Sequence, residues 1–163
     1  MVYGGAKHSM GRYKTFLLLG IIMVILTGCS SAFAKKEYYD TNKIAAAEDR
    51  YSKENSVFNP IDNGYLLEVK KFDGRQTLWT KTLEDDEKIN IKIKLSLSEG
   101  TVKIVHVDGD GHVTTIIECT PDECVEEYVM KTVSLKKVIN RIKIIGYGCK
   151  NIDLELSSSD WKK

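Results

Sequence analysis

Two cysteines in the second half of the chain, Cys119 and Cys124, are spaced so that their thiols could form a disulfide or bind a metal ion. Between them Pro121 is followed by Asp122, a pair that favours a type I turn. The thiols would then face each other across a hairpin, close enough for a disulfide. The residues alone leave three alternatives open: a disulfide, two unpaired thiols, or a metal site without the paired C-x-x-C spacing typical of zinc. We expect Cys149 to be a small, buried apolar residue.

The stretch HVDGDGH places two aspartates and two histidines where a cation could bind. Asp108 and Asp110 match the first and third ligands of an EF-hand calcium loop, but valine and cysteine replace the glycine and glutamate that such a loop requires. Asp-Gly pairs between alternating strands favour a tight hairpin instead. His106 and His112 flank this turn, and the sequence offers no evident third metal ligand. We therefore predict a hairpin here, and neither a metal site nor a cofactor.

The serines and the charged residues give little indication of catalysis. Ser134 and the serines at 157–159 lie outside a G-x-S-x-G nucleophile motif, and the acidic run at 84–87 is typical of a solvated loop. Residues 1–28 carry three of the 24 basic residues and none of the 23 acidic ones, so the remainder has a formal charge of −2. This balance gives no reason to expect a nucleic-acid partner. We predict no catalytic residue and a protein that is not an enzyme.

Aromatic side chains are the residues best suited to bind a ligand, because sugars stack on exposed rings. The rings available in the folded region are Tyr65, Trp79, Tyr128, Tyr147 and Trp161. We predict ligand stacking by Trp79, Tyr147 and Trp161. The alternative is that these rings fill the core or cover a sheet edge, as tryptophans in small domains usually do.

The fourth cysteine, Cys29, closely follows an apolar run at residues 16–26. This run is shorter than the roughly 20 residues needed to span a bilayer. Its length fits the apolar core of a secretory signal, which is about 7–15 residues long. Basic residues and no acidic ones precede it, as in the positively charged start of a signal. We predict that residues 1–28 are a signal peptide.

The sequence Leu-Thr-Gly-Cys at residues 26–29 resembles the lipobox of bacterial lipoproteins. That resemblance implies a diacylglyceryl group on the Cys29 thiol and cleavage between Gly28 and Cys29. Two acyl chains anchor a protein stably, since each buried methylene contributes about 0.8 kcal/mol. The resemblance therefore places the protein on the extracytoplasmic face of a bacterial cell membrane. Ordinary secretion with cleavage after the Ala-Phe-Ala at 32–34 is the alternative, and translation from Met10 is compatible with either.

Two regions of different composition follow the signal. Residues 29–63 are polar and predict a lipidated tether, with a short helix over 42–53. From residue 64 onward, stretches such as KINIKIKLSLS and NIDLELS alternate apolar and polar residues. Such alternation predicts half-buried strands, and about eight of them at short spacing predict an antiparallel β-sandwich or barrel over 64–163. Turns are expected at 72–75 and 146–150, among others.

One stretch of this region carries a family resemblance. SLKKVINRIKIIGYG is similar to the penultimate strand of jelly-roll sandwiches, often L-x-x-G-x-N-x-I-x-I-x-G, with Val138 where that pattern has glycine. Together with EVKKFDGRQTL, KIVHVDGDGHV and IDLELSSSDW, it resembles small clostridial-type surface lipoproteins of unassigned function. The resemblance implies a jelly-roll-like β-sandwich and a lipid anchor, and it contains no catalytic motif.

From these observations we expect a lipid-anchored binding module of the bacterial cell envelope. Its ligand would be a cell-wall polysaccharide or its partner an envelope protein. Two alternatives remain at this point: a structural or sensing accessory lipoprotein without a small ligand, and a surface hydrolase.

Overall fold

The computed structural model describes residues 31–161, apart from the side chains of Val125 and Glu126. The predicted signal peptide, Gly28 and Cys29 lie outside these residues. Residues 31–38 are helical (α1), and a second short helix, α2, covers Thr41–Ala45. Within residues 31–161, no helix is long and apolar enough to span a bilayer. The strands are β1 Arg50–Ile61, β2 Gly64–Leu83, β3 Glu87–Ser96, β4 Glu99–Val107, β5 Val113–Cys119, β6 Val125–Leu135 and β7 Val138–Ser157.

The longest strands, β2 and β7, pair antiparallel along their whole lengths and form the central ribbon of the fold. Along the other edge of β7, residues 153–157 pair with β3 and residues 141–150 pair with β4. β6 extends the sheet beyond β3, β5 extends it beyond β4, and β1 pairs with β2. These pairings confirm the predicted fold class, an antiparallel jelly-roll-like β-sandwich, with seven described strands in place of about eight.

The sandwich has two layers because the β2–β7 ribbon bends in its middle. The first layer contains β1, β3, β6, residues 64–72 of β2 and residues 149–157 of β7. The second layer contains β4, β5 and the remaining halves of β2 and β7. Apolar side chains from both layers form one buried core, which includes Leu67, Ile91, Ile104, Ile144 and Leu154.

The alternation that predicted the clearest strand is confirmed by its burial. In β3 the side chains of Ile89, Ile91, Ile93 and Leu95 are completely buried, whereas the residues between them are exposed or half-buried. Each such side chain contributes about 1.5–3 kcal/mol when it leaves water. The sequence therefore predicts which face of this strand forms the core.

The turns predicted at 72–75 and 146–150 are bends within β2 and β7 rather than chain reversals. The register passes from Phe72 opposite Cys149 to Gly74 opposite Gly146, so β7 carries one extra residue at a β-bulge. Gly74, with φ of 114°, lies in a region that side chains disfavour. Because the ladder continues on both sides of the bend, four predicted strands merge into two.

The predicted tether is also corrected. Residues 50–61 form β1, so the sandwich begins well before residue 64. The predicted helix over 42–53 is limited to Thr41–Ala45, with the side chain of Asp40 accepting a hydrogen bond from Lys43 N at 3.1 Å. Most of β1 is exposed, and its residues show no alternation of buried and exposed side chains. The strand is held in place by backbone hydrogen bonds to the edge of β2 rather than by side-chain burial.

Residues 31–49, which we call the N-terminal strap, cover the outer face of the second layer. Tyr38 and Ile44 of the strap are buried there with Val105, Val107 and Ile145 of the sheet. The strap therefore completes a second small core, which a freely extended tether would leave exposed to water.

Buried charged groups fix the strap in position. Glu37 pairs with Arg75 at 2.5 Å, and the side chains of both are almost completely buried. Lys143 Nζ, whose side chain is fully buried, donates to the carbonyl oxygen of Ala46 at 2.8 Å and lies 3.4 Å from Asp49. Burial lowers the pKa of Lys143, while Asp49 acts in the opposite direction. These contacts attach both halves of the strap to the sheet.

Val138 occupies the position at which the jelly-roll pattern has glycine, and its backbone shows the cost. Its φ is 78°, a left-handed conformation that is unfavourable for a β-branched residue, and 57% of the residue is exposed. We expect Val138→Gly to stabilise the protein by about 1 kcal/mol. Urea unfolding would measure this against Val138→Ala, which keeps a Cβ. A Gly variant no more stable than the Ala variant would contradict the interpretation.

The structure decides between the alternatives for the cysteines. Cys119 and Cys124 form a disulfide, with a Cα–Cα distance of 4.9 Å, across a turn in which Thr120 O accepts from Glu123 N and Cys124 N. Of the three alternatives, the disulfide is the one that the structure contains, and the predicted burial of Cys149 is confirmed.

Cys149 is expected to be unreactive in the folded protein. Burial raises the pKa of its thiol to about 12, and the thiol donates to Thr101 O at 3.1 Å. At pH 8 its thiolate fraction, and hence its alkylation rate, should be on the order of a thousandfold below that of an ordinary cysteine. Mass spectrometry after iodoacetamide treatment, with and without guanidinium, measures the difference. Rapid alkylation of the native protein would refute it.

Candidate binding cleft

A row of four aromatic side chains lies at the end of the sandwich opposite the bend. The rings of Phe58 and Tyr65 are stacked with centroids 5.0 Å apart. Tyr65 lies 6.0 Å from Trp161, and Trp161 stacks on Trp79 at 5.1 Å with an interplanar angle of 22°. The row therefore connects both layers of the sandwich through the C-terminal segment.

Strand pairing and a bulge position three of these rings. Tyr65 pairs with Pro60 and Leu67 pairs with Phe58, which places Phe58 and Tyr65 diagonally on the same face. A register shift after Thr77 adds one residue to β2. As a result, Trp79 packs against the core together with the buried Leu78 preceding it.

The fourth ring is positioned by a tight turn at residues 158–161. Ser158 Oγ donates to Asn90 O at 2.7 Å, and Asn90 N donates to the Asp160 carboxylate at 3.1 Å. Trp161 N donates to Ser158 O at 3.2 Å, and Ser158 N donates to Asn63 O at 2.8 Å. The C-terminal segment is thereby tied to β3 and to the β1–β2 turn, so the Trp161 ring has a defined place.

These elements enclose a cleft with a cavity of about 150 Å³. It is lined by Tyr65, Trp79, Trp161 and residues 60–64 of the β1–β2 turn. Trp161 is 7% exposed, and its Nε1 is buried without a hydrogen-bond partner among the described residues. An indole N–H can only donate, and leaving such a donor unpaired costs about 1–3 kcal/mol. The cleft thus has aromatic walls, and one of its lining residues carries a buried indole N–H without a partner among the described residues.

The structure brings together two of the three predicted stacking residues. Trp79 and Trp161 both line the cleft, but Trp161 also belongs to the buried core and the half-buried Trp79 packs against it, as the alternative interpretation expected. Tyr147 lies elsewhere, on the outer face of the second layer, where its ring contacts Tyr38 at 5.0 Å and Tyr39 at 6.4 Å. Hydrogen bonds with Thr101 and Tyr39 lower the pKa of Tyr147. Tyr147 is thus partly covered by the strap and is separate from the cleft.

Sequence reasoning did not identify Phe58, which stacks on Tyr65 beside the cleft. The residue falls in the predicted tether, where no alternation marks a strand. The one available signal is its position shortly before the Asp62–Asn63–Gly64 turn, since such residues often connect hairpin strands.

A second and larger groove, of about 540 Å³, lies where β1, β2 and β7 pair in the first layer. It is open, and its lining is mainly polar or charged, with no aromatic residue.

Tyr128 is an exposed ring outside the cleft. Its hydroxyl donates a hydrogen bond to Glu155 at 2.6 Å, which raises the pKa of Tyr128, and Lys92 Nζ lies 3.8 Å from the centroid of the Tyr128 ring. A cation thus occupies one face of this exposed ring, which leaves it less suited to stacking.

The HVDGDGH stretch forms the predicted hairpin, with Asp108 N donating to His112 O at 3.2 Å. Ligand atoms of Asp108, Asp110 and His112 lie within 4.8 Å of one another. Burial alone would raise the pKa of Asp108, but hydrogen bonds from His112 and from Asp110 N lower it. His106 is buried with its Nε2 2.9 Å from Asn140 Oδ1, so the two histidines do not form a pair. The Asp108 carboxylate therefore serves the turn itself.

Comparison with known proteins leaves the identity of the ligand open. No protein-family model and no curated protein matches this chain. Among solved structures, the chain is similar to a family 29 carbohydrate-binding module mutant complexed with mannohexaose, with a TM-score of 0.42, 12% identity and coverage of 69% of this chain and 79% of that one. It is also similar to a family 29 module without a named ligand, at a TM-score of 0.40, 10% identity and coverage of 69% and 76%. Likeness of this degree carries no argument about function.

Proposed function

We propose that the chain is a lipid-anchored, extracytoplasmic module of the bacterial cell envelope that binds a glycan in the aromatic cleft. The observation that carries the proposal is the row of Tyr65, Trp161 and Trp79 beside a cavity. Sugar rings present apolar C–H faces that pack on aromatic rings and hydroxyl oxygens that accept hydrogen bonds. A cleft with aromatic walls complements the first of these features.

The size of the cleft limits the ligand. Its cavity of about 150 Å³ is smaller than the roughly 300–1,000 Å³ of typical small-molecule sites. It therefore suits one sugar residue or the end of a chain, such as the terminus of a wall polysaccharide. No step of this proposal requires a catalytic residue, and the role we propose is binding.

Two features support export and anchoring. The sequence at residues 26–29 resembles a lipobox, which implies a lipid on Cys29. The disulfide between Cys119 and Cys124 is of the kind that forms and persists in oxidising compartments outside the cytoplasm.

Glycan binding should be measurable through the tryptophans of the cleft. Titration with purified muropeptides and wall polysaccharide fragments should change the tryptophan fluorescence of the protein. Trp79→Ala removes a stacking surface and should weaken binding by roughly tenfold. Trp161→Phe keeps an aromatic ring but reduces the surface that lines the cleft, and it should weaken binding less than Trp79→Ala does. Isothermal titration calorimetry would give the affinities.

Tyr128→Ala is the matched control, since it removes an exposed ring outside the cleft and should leave the affinity unchanged. Thermal unfolding of each variant shows whether the fold is retained. Absence of any glycan response, with an envelope protein recovered by crosslinking, would instead favour an accessory role. Hydrolysis of a surface polymer by the purified protein would favour an enzyme.

A further inference from the structure

The proposed lipid-bearing residue lies very close to the folded domain along the chain. Only Ser30 separates Cys29 from Ser31, the first residue of the described helix α1. One residue spans at most about 3.6 Å, so the Cα atoms of Cys29 and Ser31 are within roughly 7 Å. The lipid must therefore leave the protein near Ser31, and the 35-residue tether predicted over 29–63 is not available to separate them.

Ser31 lies at the end of the sandwich where β7 bends, which we call the bend end (residues 97–100 and 146–151). A Cβ added at Gly148 would lie 3.5 Å from Ser31 Oγ and 4.0 Å from the Cα of Gly100. The side chains of Lys150 and Glu99 form an ion pair there at 2.7 Å. This polar, charge-balanced surface suits contact with lipid headgroups rather than insertion among acyl chains.

The aromatic cleft lies at the opposite end of the first layer. Gly64, which lines the cleft, pairs with Ser157, whereas Phe72 pairs with Cys149 at the bend. Eight residue steps along β2 separate Gly64 from Phe72, which corresponds to roughly 26 Å. The proposed lipid and the cleft are therefore separated by about the length of a strand.

The strap cannot lengthen this connection without breaking buried contacts. Releasing it would expose Tyr38, which is completely buried, and would separate Glu37 from Arg75. Tyr38 also donates to Glu118 at 2.6 Å. These contacts hold the domain at the short distance from Cys29 that the chain length imposes.

From this geometry we propose that the bend end faces the bilayer and the aromatic cleft faces away from it, toward the cell wall. The inference rests on the proposed lipidation of Cys29 and deepens the proposed function. It assigns the ligand of the cleft to a glycan that approaches from the wall side rather than to a lipid headgroup.

Energy transfer from the protein to the membrane tests the orientation. The full lipidated chain is reconstituted in phosphatidylglycerol–phosphatidylethanolamine vesicles that contain an acceptor-labelled lipid. A donor is attached to Ser98→Cys at the bend end or to Asp62→Cys beside the cleft, both exposed positions. The native cysteines should not react, since Cys149 is buried and Cys119 and Cys124 are bridged. We expect severalfold more efficient transfer from position 98 than from position 62.

A third variant tests whether the short connection causes the orientation. A Gly/Ser insertion of about 12 residues between Ser30 and Ser31 adds a flexible span of roughly 20 Å. Transfer from position 98 should then fall toward that from position 62. Equal or reversed transfer in the anchored protein without the insertion would overturn the orientation while leaving the anchor intact. Absence of an acyl adduct on Cys29 by intact mass would overturn the proposed anchor itself.

Discussion

The Cys29→Ser variant is expected to lose all labelling by a metabolic fatty-acid probe. It should also be absent from the carbonate-washed membrane fraction. The variant lacks the thiol on which a diacylglyceryl thioether would form. Two acyl chains would provide the membrane affinity, at about 0.8 kcal/mol for each buried methylene. In the part of the chain that the structure describes, no helix can replace them as a membrane span, and the bend end is polar.

Cys149→Ser is the matched control for this experiment. It also exchanges a cysteine for a serine, but in the core, and it should keep its label and its membrane association. Intact mass of the native product provides an independent measurement. A chain that begins at Lys35 would contradict lipidation at Cys29, and it would also lack Ala34, which is only 4% exposed in the folded strap.

Arg75→Ala should be among the most destabilising substitutions in the described part of the chain. The change leaves the Glu37 carboxylate buried with Arg50 as its remaining cationic neighbour, at 4.0 Å. Removing one partner of a buried ion pair costs about 3–5 kcal/mol, a large share of the roughly 5–15 kcal/mol that stabilises a typical domain. Urea unfolding would measure the loss, and limited proteolysis should show cleavage within the strap.

An exposed ion pair provides the comparison. Lys71 and Glu54 lie 3.0 Å apart with both side chains more than half exposed, so Lys71→Ala should cost at most about 1 kcal/mol. The double variant Glu37→Leu with Arg75→Leu should recover much of the stability lost in Arg75→Ala, because apolar residues of similar size often replace a buried pair without loss. If Arg75→Ala and Lys71→Ala had equal effects, the strap would not depend on the buried pair.

Local patterns in the sequence predicted much of the fold because burial follows a strict period in a strand. In β3 every second residue is apolar, and the side chains of those residues are the buried ones. The turn at residues 108–112 was predictable because it depends on residues close in the chain. For Cys119 and Cys124 the short spacing made a disulfide one of three alternatives, and only the structure decided between them. Local residue types also predict the leader that precedes Cys29.

Other features lacked such a signal. β1 is a strand because its backbone pairs with the edge of β2. Backbone N–H and C=O groups are common to nearly all residue types, so this pairing leaves no pattern in the sequence. The strap is held mainly by Tyr38, Ile44 and the Glu37–Arg75 pair, too few residues to produce a period. The bends in β2 and β7 contain glycines, which predict turns and bulges equally well.

By itself, the sequence determined the class of fold and the inward faces of its clearest strands, while the leader and its cysteine stay predictions. The tertiary structure decided which aromatic rings meet. Trp79 and Trp161 stack because a bulge in β2 and a turn after β7 bring distant parts of the chain together, while Tyr147 lies on the outer face of the second layer, against the strap. The physical reason is that the periodicity of apolar residues indicates which side chains of a single strand or helix are buried. A binding site depends instead on contacts between different elements.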